Sequence, residues 1–211
     1  MKVLFFKEGV PLRKRLFDLL LTIPGFILLL PLLLLIALAI LILDGAPVIF
    51  WQERPGYHGR IFKVVKFRTM KDLRDGNNNL LADEERVSRL GWFLRSTSLD
   101  ELPNILNVIL GEMSLVGPRP LLVQYLARYS PEQARRHLVL PGMTGWAQIH
   151  GRNALSWEEK FTLDVWYVDH WSLALDAKIL LLTIWKVLKR EGISPMEQMT
   201  TGEFMGNEKT R

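Results

Sequence analysis

The longest apolar run in the chain covers residues 19–43, LLLTIPGFILLLPLLLLIALAILIL, and contains no charged residue. A run of this length predicts a membrane segment. Pro31 lies at its midpoint, and an interior proline removes a helical hydrogen bond and clashes with the preceding turn. Each half would be about 18 Å long, against a hydrocarbon core of about 30 Å. We therefore expect a re-entrant helical hairpin broken at Pro31, and a kinked spanning helix is the alternative.

Basic residues flank this run on both sides, as expected if both flanks lie on the cytoplasmic side of the membrane. The first fifteen residues carry Lys2, Lys7, Arg13, Lys14 and Arg15. Those that follow the run are Arg54, Arg60, Lys63, Lys66 and Arg68. A basic cluster directly before an apolar segment is typical of contact with lipid head groups.

Shorter patterns predict the remaining elements. Residues 48–51 and 61–67 read as two strands of a hairpin around a turn-rich link, and 71–82 as a polar surface loop. Helices are expected over 83–95, 102–110, 120–139, 156–169 and 173–190, with a glycine-rich loop at 140–153 and a polar, extended tail from Pro195. The fold class is mainly α with a small β-hairpin element (α+β), built onto a monotopic membrane anchor.

Two parts are expected: a membrane-associated re-entrant helix, 1–46, and a cytoplasmic catalytic domain, 47–211, with interfacial amphipathic helices. The helix over 173–190 is strongly apolar and ends with Trp185 and basic residues. This pattern is typical of a helix in the membrane interface, and ordinary core packing explains it equally well.

Composition narrows the classes of function. The chain of 211 residues has no cysteine, which excludes disulfides, thiolate metal sites and cysteine nucleophiles. Its net charge of +5 favours an anionic partner: nucleic acid, anionic lipid or a phosphorylated small molecule. Beyond the N-terminus the basic residues are spread among acidic ones, so we expect no nucleic-acid partner.

The stretch RSTSLDELPNIL, residues 95–106, places Asp100 beside Glu101. One interpretation is structural, because Ser98 followed by Glu101 fits a capping box at a helix start. The other is chemical. An ionised aspartate near free helix-terminal amides and a phosphate can attack phosphorus and form an aspartyl-phosphate intermediate. Pro103 would distort the second turn beside these acids. The motif alone favours the cap.

Attack by an anion on a phosphate requires nearby cations. Candidates beside predicted turns and strand ends are Lys66, Arg68, Arg95 and Arg119. Arginine suits this task because its planar fork binds two oxygens. Mg²⁺ would serve as well, since one or two carboxylates plus phosphate oxygens typically hold it. For each arginine taken singly, a solvated surface role is the better interpretation.

Several motifs together resemble the bacterial sugar transferases, and more narrowly the small monotopic polyprenyl-phosphate phosphoglycosyl transferases. They are KRLFD (14–18), the proline-broken apolar run, RPG (54–56), KFRTM (66–70), LRSTSLDELPNILNVILGEMSLVGPRPLL (94–122), PGMTGWAQIHGRN (141–153) and DVWYV (164–168). The resemblance covers nearly the whole chain in the same order, and the two longest blocks are highly specific.

The resemblance implies transfer of a sugar-1-phosphate from a UDP-sugar to polyprenyl (undecaprenyl) phosphate, with release of UMP, as the first membrane step of glycan biosynthesis. It implies that Asp100 is the nucleophile and a ligand of the cofactor Mg²⁺, that Glu101 assists, and that Arg95 and Arg119 bind phosphate. Lys66 matches the basic residue of the family's KFRTM-like segment. The further candidates for substrate binding are Arg68, Gln148, Arg152, Asn153 and Asp164.

One position departs from the family. The family's re-entrant helix breaks at a Ser-Pro pair, and this chain has Leu30-Pro31 instead. The family further implies the cytoplasmic face of the bacterial inner membrane, with membrane lipids as neighbours. A homo-oligomer and contact with downstream glycosyltransferases stay open. The rival functions are a sequential direct transferase with Asp100 only as metal ligand, and a non-catalytic membrane scaffold. The transferred sugar and the pathway are not identified by any residue.

Overall fold

A computed structural model describes residues 8–151, 154–189 and 202–206. A long apolar helix comes first, a β-hairpin follows, and the rest consists mainly of short helices around a second small sheet. This architecture confirms the predicted fold class, mainly α with a small β element. Two of the predicted residues, Arg152 and Asn153, lie outside the described residues, as do Lys2, Lys7 and most of the tail from Pro195.

The α-helices and strands follow in chain order. The helices are α1 (Leu12–Leu43), α2 (Asp83–Arg86), α3 (Arg89–Ser96), α4 (Ile105–Ile109), α5 (Pro131–Ala134), α6 (Trp146–His150), α7 (Trp157–His170) and α8 (Leu173–Leu188). The strands are β1 (Ile49–Pro55), β2 (Ile61–Phe67), β3 (Ser114–Val116) and β4 (Gly142–Thr144). Short 3₁₀-helices cover Tyr57–Gly59, Leu99–Asn104, Val123–Arg128 and Arg135–Leu138.

The predicted hairpin is confirmed and is longer than expected at its first strand. β1 and β2 pair antiparallel, with Ile49 opposite Phe67 and Pro55 opposite Ile61. Phe62 and Val64 pack into a core with Val108 of α4. Directly opposite residues share one face of an antiparallel pair, so the even-numbered residues of both strands face this core and what adjoins it.

A parallel pair, β3 with β4, was not predicted. β4 lies within the stretch expected to be a glycine-rich loop, and β3 lies well before it in the chain, after α4. Its close approach depends on glycine, because a Cβ added at Gly142 would lie 2.1 Å from the backbone nitrogen of Gly117. The glycines of this loop therefore serve strand contact as well as turn geometry.

The predicted helix over 120–139 is wrong in its continuity. A 3₁₀-helix, α5 and a second 3₁₀-helix replace it. The division occurs at Ser130-Pro131, where Ser130 and Gln133 form a capping box and Pro131 starts α5. A proline at the first helical position has no amide hydrogen to continue a preceding helix. Similarly, 83–95 divides into α2 and α3, because Ser88 caps a new helix by accepting from the amide of Gly91.

The start of α1 is buried in the domain, which corrects the expectation that Lys14 and Arg15 meet lipid head groups. Lys14 Nζ donates to Asp176 at 2.7 Å and to the carbonyl of Val116 at 3.1 Å. Arg15 donates to the carbonyls of Val108 and Ile109, each at 2.5 Å. These carbonyls lie at the C-terminal end of α4, where the helix dipole attracts a cation.

The far end of α1 contacts the same domain. Ile36 and Ile40 pack with Phe67 and Leu94. Arg68 donates to the carbonyls of Asp44, Gly45 and Ala46, at 2.6 to 2.8 Å, just after the helix ends. Residues 23–35 between these two attachments are not buried. Only 11% of the most apolar window of α1 is buried, and the helix is long and apolar enough to cross a membrane.

α1 differs from the expected hairpin of two half-helices, because it continues as one helix through Leu30 and Pro31. The course of α1 in the membrane stays a prediction. Its two attachments to the domain favour the expected re-entrant course over a spanning helix. A domain in water cannot hold both ends of a helix that crosses the bilayer, since charged groups do not enter hydrocarbon. Both ends of α1 are therefore expected on one side.

Asp176→Asn should destabilise the domain strongly. The buried Asp176 carboxylate accepts from Lys14, Tyr167 and Trp171. Removing its charge leaves the buried Lys14 with only the more distant carboxylate of Asp18, at 3.7 Å, and loss of the closer ion pair should cost about 3–5 kcal/mol. Unfolding in detergent measures the effect. Asp83→Asn is the control, because its carboxylate is 74% exposed and pairs with Arg86 at the surface. Equal stabilities of the two variants would contradict the structural role of the buried pair.

Single cysteines test the course of α1, since the natural chain has none. Cysteines at the exposed positions Glu8 and Arg60 should both react with an impermeant maleimide applied from one side of the membrane. A cysteine at Leu28, which is 81% exposed in the middle of α1, should react only after detergent is added. Reaction of Glu8→Cys and Arg60→Cys from opposite sides would instead establish a spanning helix.

Candidate active site

Asp100 and Glu101 lie in the first turn of the 3₁₀-helix Leu99–Asn104, directly before α4. The predicted capping box is wrong. Ser98 has a left-handed backbone, with φ of 57°, and its side chain caps nothing. An N-cap residue normally needs an extended backbone to reach the amides that follow. The Glu101 side chain is consequently available for other partners.

Side-chain amides fix this segment against the hairpin. The backbone amide of Val65 donates to the side-chain oxygens of Asn104, at 3.0 Å, and Asn107, at 3.2 Å. Asn107 in turn donates to the carbonyl of Lys63 at 2.8 Å. The edge of β2 is thus paired by asparagines rather than by another strand. This pairing sets the register that brings Lys66, the residue after Val65, next to Glu101.

Glu101 binds two cations from separate parts of the chain. Lys66 Nζ lies 2.6 Å from its Oε1. Arg119 forms a two-pronged pair, with 2.5 Å to Oε1 and 3.1 Å to Oε2. Burial alone would raise the pKa of Glu101, but Arg119 and Lys66 outweigh it and hold that pKa well below its usual range. Glu101 is therefore ionised at every physiological pH and has its oxygens occupied.

The Asp100 carboxylate differs from that of Glu101 in its hydrogen-bond partners and in its pKa. Its side chain is half-buried, and no residue within the described ranges donates a hydrogen bond to its carboxylate. Burial, reinforced by the negative charge of Glu101, raises its pKa to about 6, although Lys66, Arg119 and Arg95 act in the opposite direction. Two adjacent carboxylates thus have pKa values pushed apart, which is typical of catalytic pairs. Asp100 is the one with oxygens free for a ligand.

Arg119 is itself held in place from behind. Its backbone carbonyl accepts from Arg136 Nη2 at 2.7 Å. Arg136, 2% exposed, pairs with the equally buried Asp164, at 2.7 Å from Nη2 to Oδ2. Asp164, predicted to bind substrate, is therefore buried behind the site and acts on it through Arg136. Arg95, predicted to bind phosphate, is near Asp100 and donates to the hydroxyl of Thr69 at 2.9 Å.

Sequence reasoning placed Arg54 among the basic flanks and in the RPG motif but missed it as a site residue. Arg54 lines the same cleft as Lys66, Glu101 and Arg119. Burial and the neighbouring Arg119 lower its pKa to about 10, which still leaves it charged at neutral pH. The hairpin could have revealed it, because Arg54 and Lys66 are both even-numbered residues of paired strands and so share one face.

The structure separates two further predicted residues from this cluster. Arg68 uses its donors on the carbonyls after α1, which disfavours its predicted contact with substrate. Gln148 of α6 donates to the carbonyl of Met143 at 3.3 Å, and its Oε1 is buried without a partner among the described residues. Because Met143 lines the cleft, Gln148 lies at the border of the cleft and not beside the Asp100–Glu101 pair.

A divalent metal ion fits this site only in a particular way. No group of three or more histidine or acidic side chains lies together in the described part of the chain, so it offers no all-protein cage. Glu101 is occupied by its two cations, whereas the Asp100 carboxylate has free oxygens. Mg²⁺ is commonly bound by one carboxylate, phosphate oxygens and water. The residues therefore fit an Mg²⁺ that is shared with a bound phosphate.

Comparison with known proteins gives consistent matches. The family model described as bacterial sugar transferase matches residues 10–190. An uncharacterized sugar transferase, EpsL of Bacillus subtilis, is 59% identical over 163 residues, which cover 77% of this chain and 81% of that protein.

Longer relatives match as well. The UDP-galactose-lipid carrier transferase of Erwinia amylovora is 42% identical over 85% of this chain and 41% of its own length. The UDP-glucose:undecaprenyl-phosphate glucose-1-phosphate transferase of Escherichia coli is 40% identical over 83% of this chain and 40% of its own length. This chain thus spans about two fifths of those two relatives, while the family match covers residues 10–190 of this chain. The chain belongs to the bacterial sugar transferase family.

Proposed function

We propose that this protein transfers a sugar-1-phosphate from a UDP-sugar to polyprenyl (undecaprenyl) phosphate through a covalent intermediate on Asp100. The observation that carries the proposal is the unpaired Asp100 carboxylate next to Arg95, Lys66 and Arg119. The names of the relatives from Erwinia amylovora and Escherichia coli support the same substrates. A sugar transferase of this kind is an enzyme, a phosphoglycosyl transferase.

The chemistry divides into two displacements at one phosphorus atom. An oxygen of Asp100 attacks the sugar-bearing phosphorus of the UDP-sugar, the bond to the bridging oxygen breaks, and UMP leaves with that oxygen. A phosphate oxygen of the polyprenyl phosphate then attacks the same phosphorus. The acyl–phosphate bond breaks, which releases the polyprenyl diphosphate sugar and restores the carboxylate.

The cations make the approach of two anions feasible. Arg54, Lys66 and Arg119 line one cleft, and they would bind the diphosphate oxygens where charge develops. Arg119 is partly committed to Glu101, so Glu101 sets the position of its fork as well as its charge. Glu101 acts in this scheme as a positioning group, because its own oxygens are already occupied.

Asp100 would hold Mg²⁺ together with the diphosphate of the nucleotide sugar. When bound, the ion supplies charge neutralisation on the phosphate oxygens and on the leaving UMP. Lys66, Arg95 and Arg119 neutralise part of the same negative charge, since they lie near Asp100 and come from three separate stretches of the chain.

The membrane position follows from α1. Both of its ends contact the domain that carries Asp100, so the site is expected close to the head-group plane where a lipid phosphate lies. We propose the cytoplasmic face of the bacterial inner membrane as its location. UDP-sugars are then reached from the water side and the polyprenyl chain from the lipid side.

Asp100→Asn should abolish both transfer and covalent labelling. The protein is incubated with UDP-sugar labelled in the sugar, with Mg²⁺ and without lipid acceptor, and the labelled protein is isolated under denaturing conditions. We expect label on the natural chain and none on Asp100→Asn, with UMP released in step with labelling. A panel of UDP-sugars identifies the donor in the same assay.

The matched control is Asp72→Asn, a carboxylate that is 72% exposed in the loop before α2 and should leave labelling unchanged. Transfer to polyprenyl phosphate without any protein label would overturn the covalent route in favour of direct transfer, with Asp100 as a metal ligand. No UMP release from any donor would favour a non-catalytic scaffold.

The acid limb of kcat/KM should report Asp100. Attack requires the ionised carboxylate, and its pKa is raised to about 6, so the reactive fraction falls as pH falls through 6. We expect kcat/KM to decline about tenfold per pH unit below that point. Glu101→Gln removes the negative neighbour that raises this pKa, so its inflection should move to lower pH even though activity is reduced. A profile that is flat between pH 5 and 7 would contradict the assignment.

A further inference from the structure

The C-terminal segment 202–206, GEFMG, lies outside the stretch that matches the family, yet it is packed against the domain. Phe204 is 4% exposed, whereas its neighbour Met205 is 76% exposed. A segment of five residues with a single fully buried side chain resembles a bound peptide with one anchor more than an element of a core.

The anchor enters a pocket of four rings, which we call the aromatic socket: Tyr125, Tyr129, Trp157 and Phe161. Their ring centres lie 4.9 to 5.9 Å from that of Phe204. Phe161 and Tyr125 meet it edge to face, and Tyr129 is stacked on it. These are the favourable geometries for aromatic contacts.

Polar contacts hold the backbone of the segment on both sides of the anchor. The amide of Phe204 donates to the hydroxyl of Tyr125 at 3.2 Å, and its carbonyl accepts from Arg128 at 2.5 Å. Trp157 Nε1 donates to the carbonyl of Gly202 at 2.8 Å. Glu203 accepts from Arg128 and Gln124, each at 2.7 Å. Residues 202–206 are thus bound through backbone hydrogen bonds, the charge of Glu203 and the ring of Phe204 together.

The socket adjoins the groups that position Arg119. The guanidinium of Arg136 lies 5.8 Å from the ring centre of Tyr129 and 5.7 Å from that of Phe161. Arg136 also donates to the Tyr129 hydroxyl at 3.3 Å and to the carbonyl of Arg119 at 2.7 Å. Tyr129 and Phe161 therefore contact both Phe204 and Arg136.

We propose that residues 202–206 are an intramolecular ligand of the aromatic socket, and that Phe204 is a positioning residue that keeps Arg119 aligned with Glu101 through Tyr129, Phe161 and Arg136. Without Phe204, the two rings lose packing on one side and water gains a path toward the buried Arg136. The carbonyl of Arg119 then loses its fixed donor. The docking part of this proposal is independent of the proposed function, and its kinetic part rests on it.

Docking is tested without any enzymatic readout. A fluorescent peptide with the sequence of residues 196–209 is titrated into full-length Phe204→Ala protein, in which the socket has no anchor. A contact that is mostly formed in the chain, at an effective concentration of about 1 mM, implies a dissociation constant of about 0.1 mM or tighter for the peptide. The natural chain should bind it far more weakly because its own segment competes. A peptide with alanine in place of phenylalanine should not bind either protein.

Coupling to the site is tested by kinetics of three full-length variants. Phe204→Ala should lower kcat/KM about tenfold, the size expected for coupling through a packed network. Phe204→Leu, which refills the socket with an apolar group, should restore most of the activity. Met205→Ala should match the natural chain.

The outcomes separate the claims. Absence of peptide binding to Phe204→Ala would overturn docking. Peptide binding together with a kcat/KM of Phe204→Ala equal to that of Met205→Ala would overturn the positioning role. A lower unfolding temperature with unchanged kcat/KM would reduce Phe204 to a stabilising contact. Peptide binding with no transfer by the natural chain would sink the proposed function and leave the docked segment standing.

Discussion

The carboxylate of Glu101 joins three separate stretches of the chain, and the arrangement around Asp100 depends on it. Lys66 comes from the hairpin, Arg119 from the loop after β3, and Glu101 itself from the turn before α4. If Glu101 were absent, these two cations would repel each other across the cleft. One carboxylate is fully used in holding the cations together, and this leaves its neighbour unpaired. Asp100 and Glu101 thus differ in pKa and in the occupation of their oxygens because different groups surround them in the fold.

Much of this arrangement could be predicted from the sequence where the signal is periodic or long. The apolar run of α1, the alternation of the hairpin and the two long helices α7 and α8 are such signals. The proximity of Asp100, Lys66 and Arg119 followed from the chemistry that phosphate transfer needs, and from the family resemblance. The structure brings these groups together, whereas their roles in catalysis stay predictions.

Other features carried no local signal. β3 and β4 are three residues each and 25 residues apart, so neither shows periodicity, and only the close approach of Gly117 and Gly142 distinguishes them. Lys14 illustrates a second limit, because a basic residue before an apolar run looks the same whether it meets lipid or a buried aspartate. Arg136 is a third case. Its burial depends on Asp164 and on rings brought together by the tertiary fold.

The attachment of Lys14 to Asp176 has a consequence for biosynthesis. The two residues are separated by 162 positions, so α1 leaves the ribosome long before its polar partner in α8 has been made. Until then its charged start and its apolar body are both unsatisfied in water. Early insertion into lipid would shield the apolar body during this interval. The order of events is then insertion first and closure of the domain around the buried lysine last, which makes the bilayer a participant in folding.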